Sequence, residues 1–153
     1  MIKKRSEVAV KVEQDHHAIN QQMGELKKSM MGEVRSADFS DWKLEFVWQL
    51  RDFKNRLLKH FDLEEEGGFM TDVLEAAPQS EMKVTQLKRE HEYIITSLDR
   101  LTSDLKEIQE MEPTRLEGVR NGINDIMKSL RDHETEEHML MQRAYFREFG
   151  GAD

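Results

Sequence analysis

Apolar residues recur in steps of three and four along four long segments of this chain, a periodicity that admits little besides amphipathic α-helix. In the first segment Val8, Val12, His16, Ile19, Met23, Leu26 and Met30 share one face. The second aligns Phe46, Leu50, Phe53, Leu57, His60 and Glu64, and the third Val84, Leu87, His91, Ile94, Leu98, Leu101, Leu105 and Ile108. The fourth runs Leu116, Val119, Ile123, Ile126, Leu130, His133, Glu137, Leu140 and Ala144. No useful length alternates with period two, so no sheet is expected. The two prolines, Pro78 and Pro113, leave the segments intact. Helices are predicted over about 5–31, 41–66, 81–111 and 113–147, with Ser40 and Ser80 as N-caps and Pro113 in a first turn. The breaks are MGEVRSADFS, GGFMTDVLEAAPQS and the tight MEP junction.

Four such helices on short connections predict an all-α, up-and-down antiparallel four-helix bundle with the stripes turned inward. The 153 residues suit one domain, 1–153, with one substantial core. Charged residues make up 35% of the chain against roughly 25% in ordinary globular proteins. The outer helix faces absorb that excess. A net charge of −8 argues against a broad nucleic-acid-binding face. The opening MIKKRSEVAV lacks the apolar centre of a secretory signal, and no run approaches the roughly 18 apolar residues of a membrane span. A soluble, cytoplasmic protein is expected. With no cysteine, disulfides, thiolate metal sites and thiol catalysis are excluded, so any metal must use His, Asp or Glu.

Six polar residues stand where the stripes call for leucine: His16, His60, Glu64, His91, His133 and Glu137. Burying an imidazole or carboxylate costs several kcal/mol unless it is paired, hydrogen-bonded or bound to metal. One core histidine alone is usually structural. Here His16 and His91 lie early in helices one and three, while the HxxxE pairs His60/Glu64 and His133/Glu137 lie late in helices two and four. In antiparallel topology all of these fall toward one end of the bundle. Each half of the chain supplies one lone histidine and one HxxxE pair, whose i, i+4 spacing lets both side chains reach a common centre.

Four imidazoles and two carboxylates suit two first-row ions, with the glutamates bridging and the histidines terminal. Two irons joined by an oxo or hydroxo bridge would each keep one open position, where dioxygen, peroxide or nitric oxide would bind. A single structural zinc takes only four ligands and leaves the rest unexplained.

The motifs DHHAI, HFDLEEEGGF, EHEYI and HETEE with the following LMQRAY resemble, in order over residues 15–145, those of hemerythrin-like HHE cation-binding domains. The resemblance implies a carboxylate-bridged non-haem di-iron centre. It also implies roles in oxygen binding, sensing or storage, iron handling, or defence against reactive oxygen and nitrogen species. The oxygen-carrying hemerythrins place a second histidine four residues from the equivalent of His91, where this chain has Leu87 and Ile95. That difference favours an oxygen-reactive or sensing centre over a carrier. The carriers also place an aspartate where His138 stands. His138 lies about 100° off the Glu137 stripe, so Glu137 is the preferred ligand.

His17 is off the inward face and is expected to be exposed or to support a ligand. Glu65 and Glu66 read as a solvated helix end, with rotation of one toward a metal as an alternative. Met23, Met30, Met82, Met127, Met139 and Met141 read as core filling, and Phe46, Trp48, Phe53 and Phe61 as packing residues. Tyr93 and Tyr145 read as ordinary side chains rather than iron-tuning ones. Two rivals remain. A ferritin-like iron-oxidising bundle normally carries paired ExxH motifs; Glu13 and His16 supply one, but neither His91 nor His133 has Glu three residues earlier. A metal-free interaction bundle has to account for six core polar residues at one level.

Overall fold

The stripes fold as their spacing dictates. The computed structural model describes residues 2–146 and the side chains of residues 7–144. Its helices are α1 (Ile2–Met31), α2 (Phe39–Glu65), α3 (Phe69–Ala76), α4 (Glu81–Glu107) and α5 (Pro113–Met141), the last running into a π-type turn, Gln142–Phe146. No strand occurs among the described residues. α1 packs on α2, α2 on α4, α4 on α5 and α5 on α1, which closes an antiparallel four-helix bundle. No helix among the described residues is long and apolar enough to cross a membrane.

The ends depart from the sequence reading in five places, the first being α1, which begins at Ile2 rather than at about residue 5. α2 begins at Phe39 after a 3-10 turn, Ser36–Asp38, so Ser40 lies inside the helix rather than capping it. Ser80 does occupy the N-cap of α4, but its buried hydroxyl makes no capping bond. α4 stops at Glu107 rather than 111, because Ile108 turns to extended backbone and inserts its side chain into the core. α5 ends as α-helix at Met141 and not at 147, a residue that lies outside those described, as does the side chain of Tyr145.

The largest correction is α3. The segment GGFMTDVLEAAPQS is not an irregular break but holds an eight-residue helix. Gly68 starts it with φ of 107°, a left-handed conformation that costs a side-chain-bearing residue roughly 1–2 kcal/mol. A Cβ at the neighbouring Gly67 would collide with the Leu63 carbonyl. The two glycines thus let the chain fold back on the end of α2. α3 then turns Phe69, Met70 and Val73 inward as a plug across that end of the bundle, contacting α1, α2 and α4.

Buried apolar residues form two clusters rather than one. The larger fills the body of the bundle and includes Ile19, Leu57, Ile94 and Leu130. The smaller gathers Val12, Phe69, Val73, Val84, Leu87 and Leu140 under α3. On α1, α4 and α5 the stripe passes from one cluster to the other through the polar residues between them, and on α2 it ends in that polar layer at Glu64. At the opposite end of the bundle Trp42 stacks on Phe46 and donates its indole N–H to the Ser29 carbonyl at 3.2 Å. Lys43 and Arg120 there donate to the Ile108 and Met30 carbonyls at 2.8 and 2.9 Å, placing cations at the C-terminal ends of α4 and α1. Trp48 is exposed and lies under the Arg51 guanidinium, so it is not a packing residue. Met82 and Met139 are likewise exposed and fill no core.

Candidate metal centre

A helix period of 3.6 projects every third or fourth residue inward, and at one level of this bundle that residue is ionisable on all four long helices. His60, Glu64, His91, His133 and Glu137 are buried, and the His16 side chain is 13% exposed. The side chains converge as two overlapping groups of four: His16, His60, Glu64 and Glu137, and Glu64, His91, His133 and Glu137. Within each group the candidate ligand atoms lie within 4.8 Å of one another. Both glutamates belong to both groups, and each pair of histidines comes from one half of the chain.

Distances across the cluster are short. His16 Nε2 lies 3.0 Å from Glu137 Oε1, His91 Nε2 lies 3.0 Å from Glu64 Oε1, and the i, i+4 pairs close at 3.4 Å for His60–Glu64 and 3.3 Å for His133–Glu137. Even so, His60 Nε2, both Glu64 oxygens and Glu137 Oε2 have no hydrogen-bond partner. Buried polar atoms left this way are costly, and a shared cation satisfies them together.

Three carboxylates outside the cluster orient its imidazoles. His60 Nδ1 donates to Asp15 at 3.2 Å, His91 Nδ1 to Glu65 at 2.7 Å, and His133 Nδ1 to Glu90 at 2.8 Å. With the proton on Nδ1, each Nε2 points its lone pair into the centre. His91 Nε2 and His133 Nε2 then face each other at 3.0 Å, an arrangement that needs a cation or a proton between them. Phe61 lies against the His91 ring, centroids 3.9 Å apart and 11° from parallel.

The electrostatics follow from this crowding. Burial disfavours charged imidazole, but Glu137 and Glu64 outweigh it at His16 and His91 and push both up to about 10. His60 and His133 are raised against burial in the same way, chiefly by Glu64 and Glu137 respectively. Burial alone would raise Glu137, yet Glu64 and the imidazoles around it hold it well below the ordinary carboxylate range. Glu134 is raised by burial, with the positive field of His16 opposing.

All six residues read from the stripes meet in this cluster. His17 is exposed beside Gln21, and His138 is exposed, its Nδ1 4.0 Å from Glu13. Glu65 does not turn toward the centre but accepts the His91 proton, and Glu66 is exposed. Tyr93 is exposed, and Leu87 packs in the smaller apolar cluster. Asp15 and Glu90 had no predicted role. The signal for both was the acidic residue immediately before His16 and before His91, repeated in the two halves.

Fold and cluster together define a helical-bundle protein with a candidate metal-ion site made only of imidazole and carboxylate. The family model described as Hemerythrin HHE cation binding domain matches residues 8–145, and the chain belongs to that family. No curated protein and no solved structure gives a significant match.

Proposed function

We propose that this protein holds two iron ions and uses them to bind or react with dioxygen, peroxide or nitric oxide, in sensing, storage or removal of these species. The observation that carries this reading is the pair of overlapping four-residue groups sharing Glu64 and Glu137. His16 and His60 would hold one ion, His91 and His133 the other, with Glu64 and Glu137 spanning both. Borderline first-row metals favour this mixture of nitrogen and oxygen donors. When bound, two such ions supply redox electrons and open coordination positions for a small diatomic ligand.

The chain's own residues prepare the site. Asp15, Glu65 and Glu90 fix the tautomers of His60, His91 and His133 and make their inward nitrogens better donors. The apolar clusters on either side limit water, and α3 covers the near end. Metal analysis with Mössbauer and optical spectroscopy tests the reading. About two irons per chain in a coupled centre are expected; a folded protein indifferent to ferrous iron overturns it. Rapid peroxide turnover by the loaded protein would identify removal as the role, and a stable oxygen adduct would identify binding.

A further inference from the structure

The internal repeat makes the six central residues nearly symmetric, but their surroundings are not. Phe61 follows His60 as Glu134 follows His133, and Ile95 lies four residues after His91 as Asn20 lies four after His16. On the α2–α4 side both positions are apolar, and Phe61 stacks on His91. On the α1–α5 side both are polar, and the Asn20 amide donates to Glu134 Oε2 at 3.1 Å. Holding the two ions does not require this difference.

Pockets reach His60 between α1 and α2 and His91 between α2 and α4, and the polar side has an opening of its own. α1 and α5 pack less closely than the other neighbouring long helices, and between them lies a pocket of about 680 Å³. His16, the least buried of the four central histidines, lines it, and behind His16 stands Glu137, fully buried with an unpartnered oxygen. Glu134 lines the same pocket, with Oε1 buried and unpartnered while Oε2 is held by Asn20. It belongs to neither four-residue ligand group. Glu13, His17 and His138 stand farther out, and Arg131 is the fixed cation of the lining.

We propose that the α1–α5 pocket is the port through which metal ions reach the centre, and that Glu134 is the carboxylate that receives an ion from the pocket and passes it to His16. Asn20 keeps one Glu134 oxygen fixed and leaves the other free to meet the ion. The outer histidines and Glu13 supply exchangeable donors on the way in, so an ion need not shed all its water at once. This inference rests on the two-ion reading and assigns residues outside the ligand set.

Stopped-flow mixing of the metal-free protein with cobalt(II) alone, followed by ligand-field absorbance, tests it. A whole field of focused charge raises association rates by about 10- to 1,000-fold, so removing the one receiving carboxylate in Glu134→Gln is expected to slow uptake by up to about tenfold without changing the final stoichiometry. Asn20→Leu, which copies the apolar character of Ile95, should slow it in the same sense. Glu92→Gln, at the rim of the opposite pocket, should load at the wild-type rate. Unchanged rates in both port variants beside a normally loading wild type overturn the port alone. A reduced cobalt stoichiometry in Glu134→Gln also overturns it, by making Glu134 a ligand. Wild-type protein that takes up no cobalt overturns the metal-centre reading and the port with it.

Discussion

At the scale of single residues, the centre depends on charges that are tolerable only in company. In the metal-free protein His16 and His91 titrate near 10 instead of the ordinary 6.5. Their charged forms therefore add stability that is complete below about pH 6.5 and is lost as pH rises toward 10. Glu137 acts in the opposite sense: its contribution is present above its ordinary 4.5 and is lost as pH falls toward its depressed value. Urea unfolding of metal-free protein should show a falling midpoint from pH 6.5 to 9.5. Metal affinity should instead rise with pH, because bound imidazoles must give up their protons. Calorimetry in buffers of different ionisation enthalpy should detect that release. A midpoint that climbs over this range would contradict the assigned pairings. Replacing His60 or Glu64 with Ala should abolish most iron loading, while His17→Ala and His138→Ala, both at exposed positions, should reach the wild-type iron content at equilibrium. Glu90→Gln should weaken metal binding by about 10- to 100-fold through His133 without removing a ligand. The six central residues were legible because helical period leaves no neutral place for a histidine on an apolar stripe. Asp15, Glu65 and Glu90 were not, since each reaches sideways to a neighbouring helix, and the period of one helix does not say which imidazole it will meet.

At the scale of elements, α3 is the piece that periodicity could not supply. FMTDVLEA spans only about two turns, too few to repeat an apolar stripe, and its flanking Gly67–Gly68 and Pro78 are ordinary loop signals. Its helix exists because Phe69, Met70 and Val73 find a ready apolar surface at the end of the bundle. Phe69→Ala should therefore cost about 3–5 kcal/mol in denaturant unfolding, as for other fully buried aromatics. Gly68→Ala should cost roughly 1–2 kcal/mol, from its left-handed backbone alone. If Phe69→Ala left stability unchanged, α3 would be an appendage and not a plug. The long helices were readable to within a few residues, and their errors lie at the ends, where Asp38 precedes α2 and Ile108 leaves α4. There the deciding contacts are tertiary.

At the scale of the whole molecule, the polar layer divides the bundle's interior into a larger apolar cluster and a smaller one. Cooperativity in a small protein normally comes from a continuous core, and here continuity is broken by a layer of ionisable groups whose cohesion depends on their charges. The metal-free chain should consequently behave as two folding units of unequal strength. Amides of α3 and of α5 beyond Glu137 should exchange with deuterium through a partial opening, while the Leu50–Leu57 region waits for global unfolding. Ions at the layer would weld the units into one. A metal present at a hundred times its dissociation constant adds about 2.7 kcal/mol to whatever it binds only when folded, enough to slow exchange at the weak end about a hundredfold. Loaded and metal-free protein would thus differ less in shape than in which parts can unfold alone, so the rate at which one end opens becomes a record of whether the centre is filled.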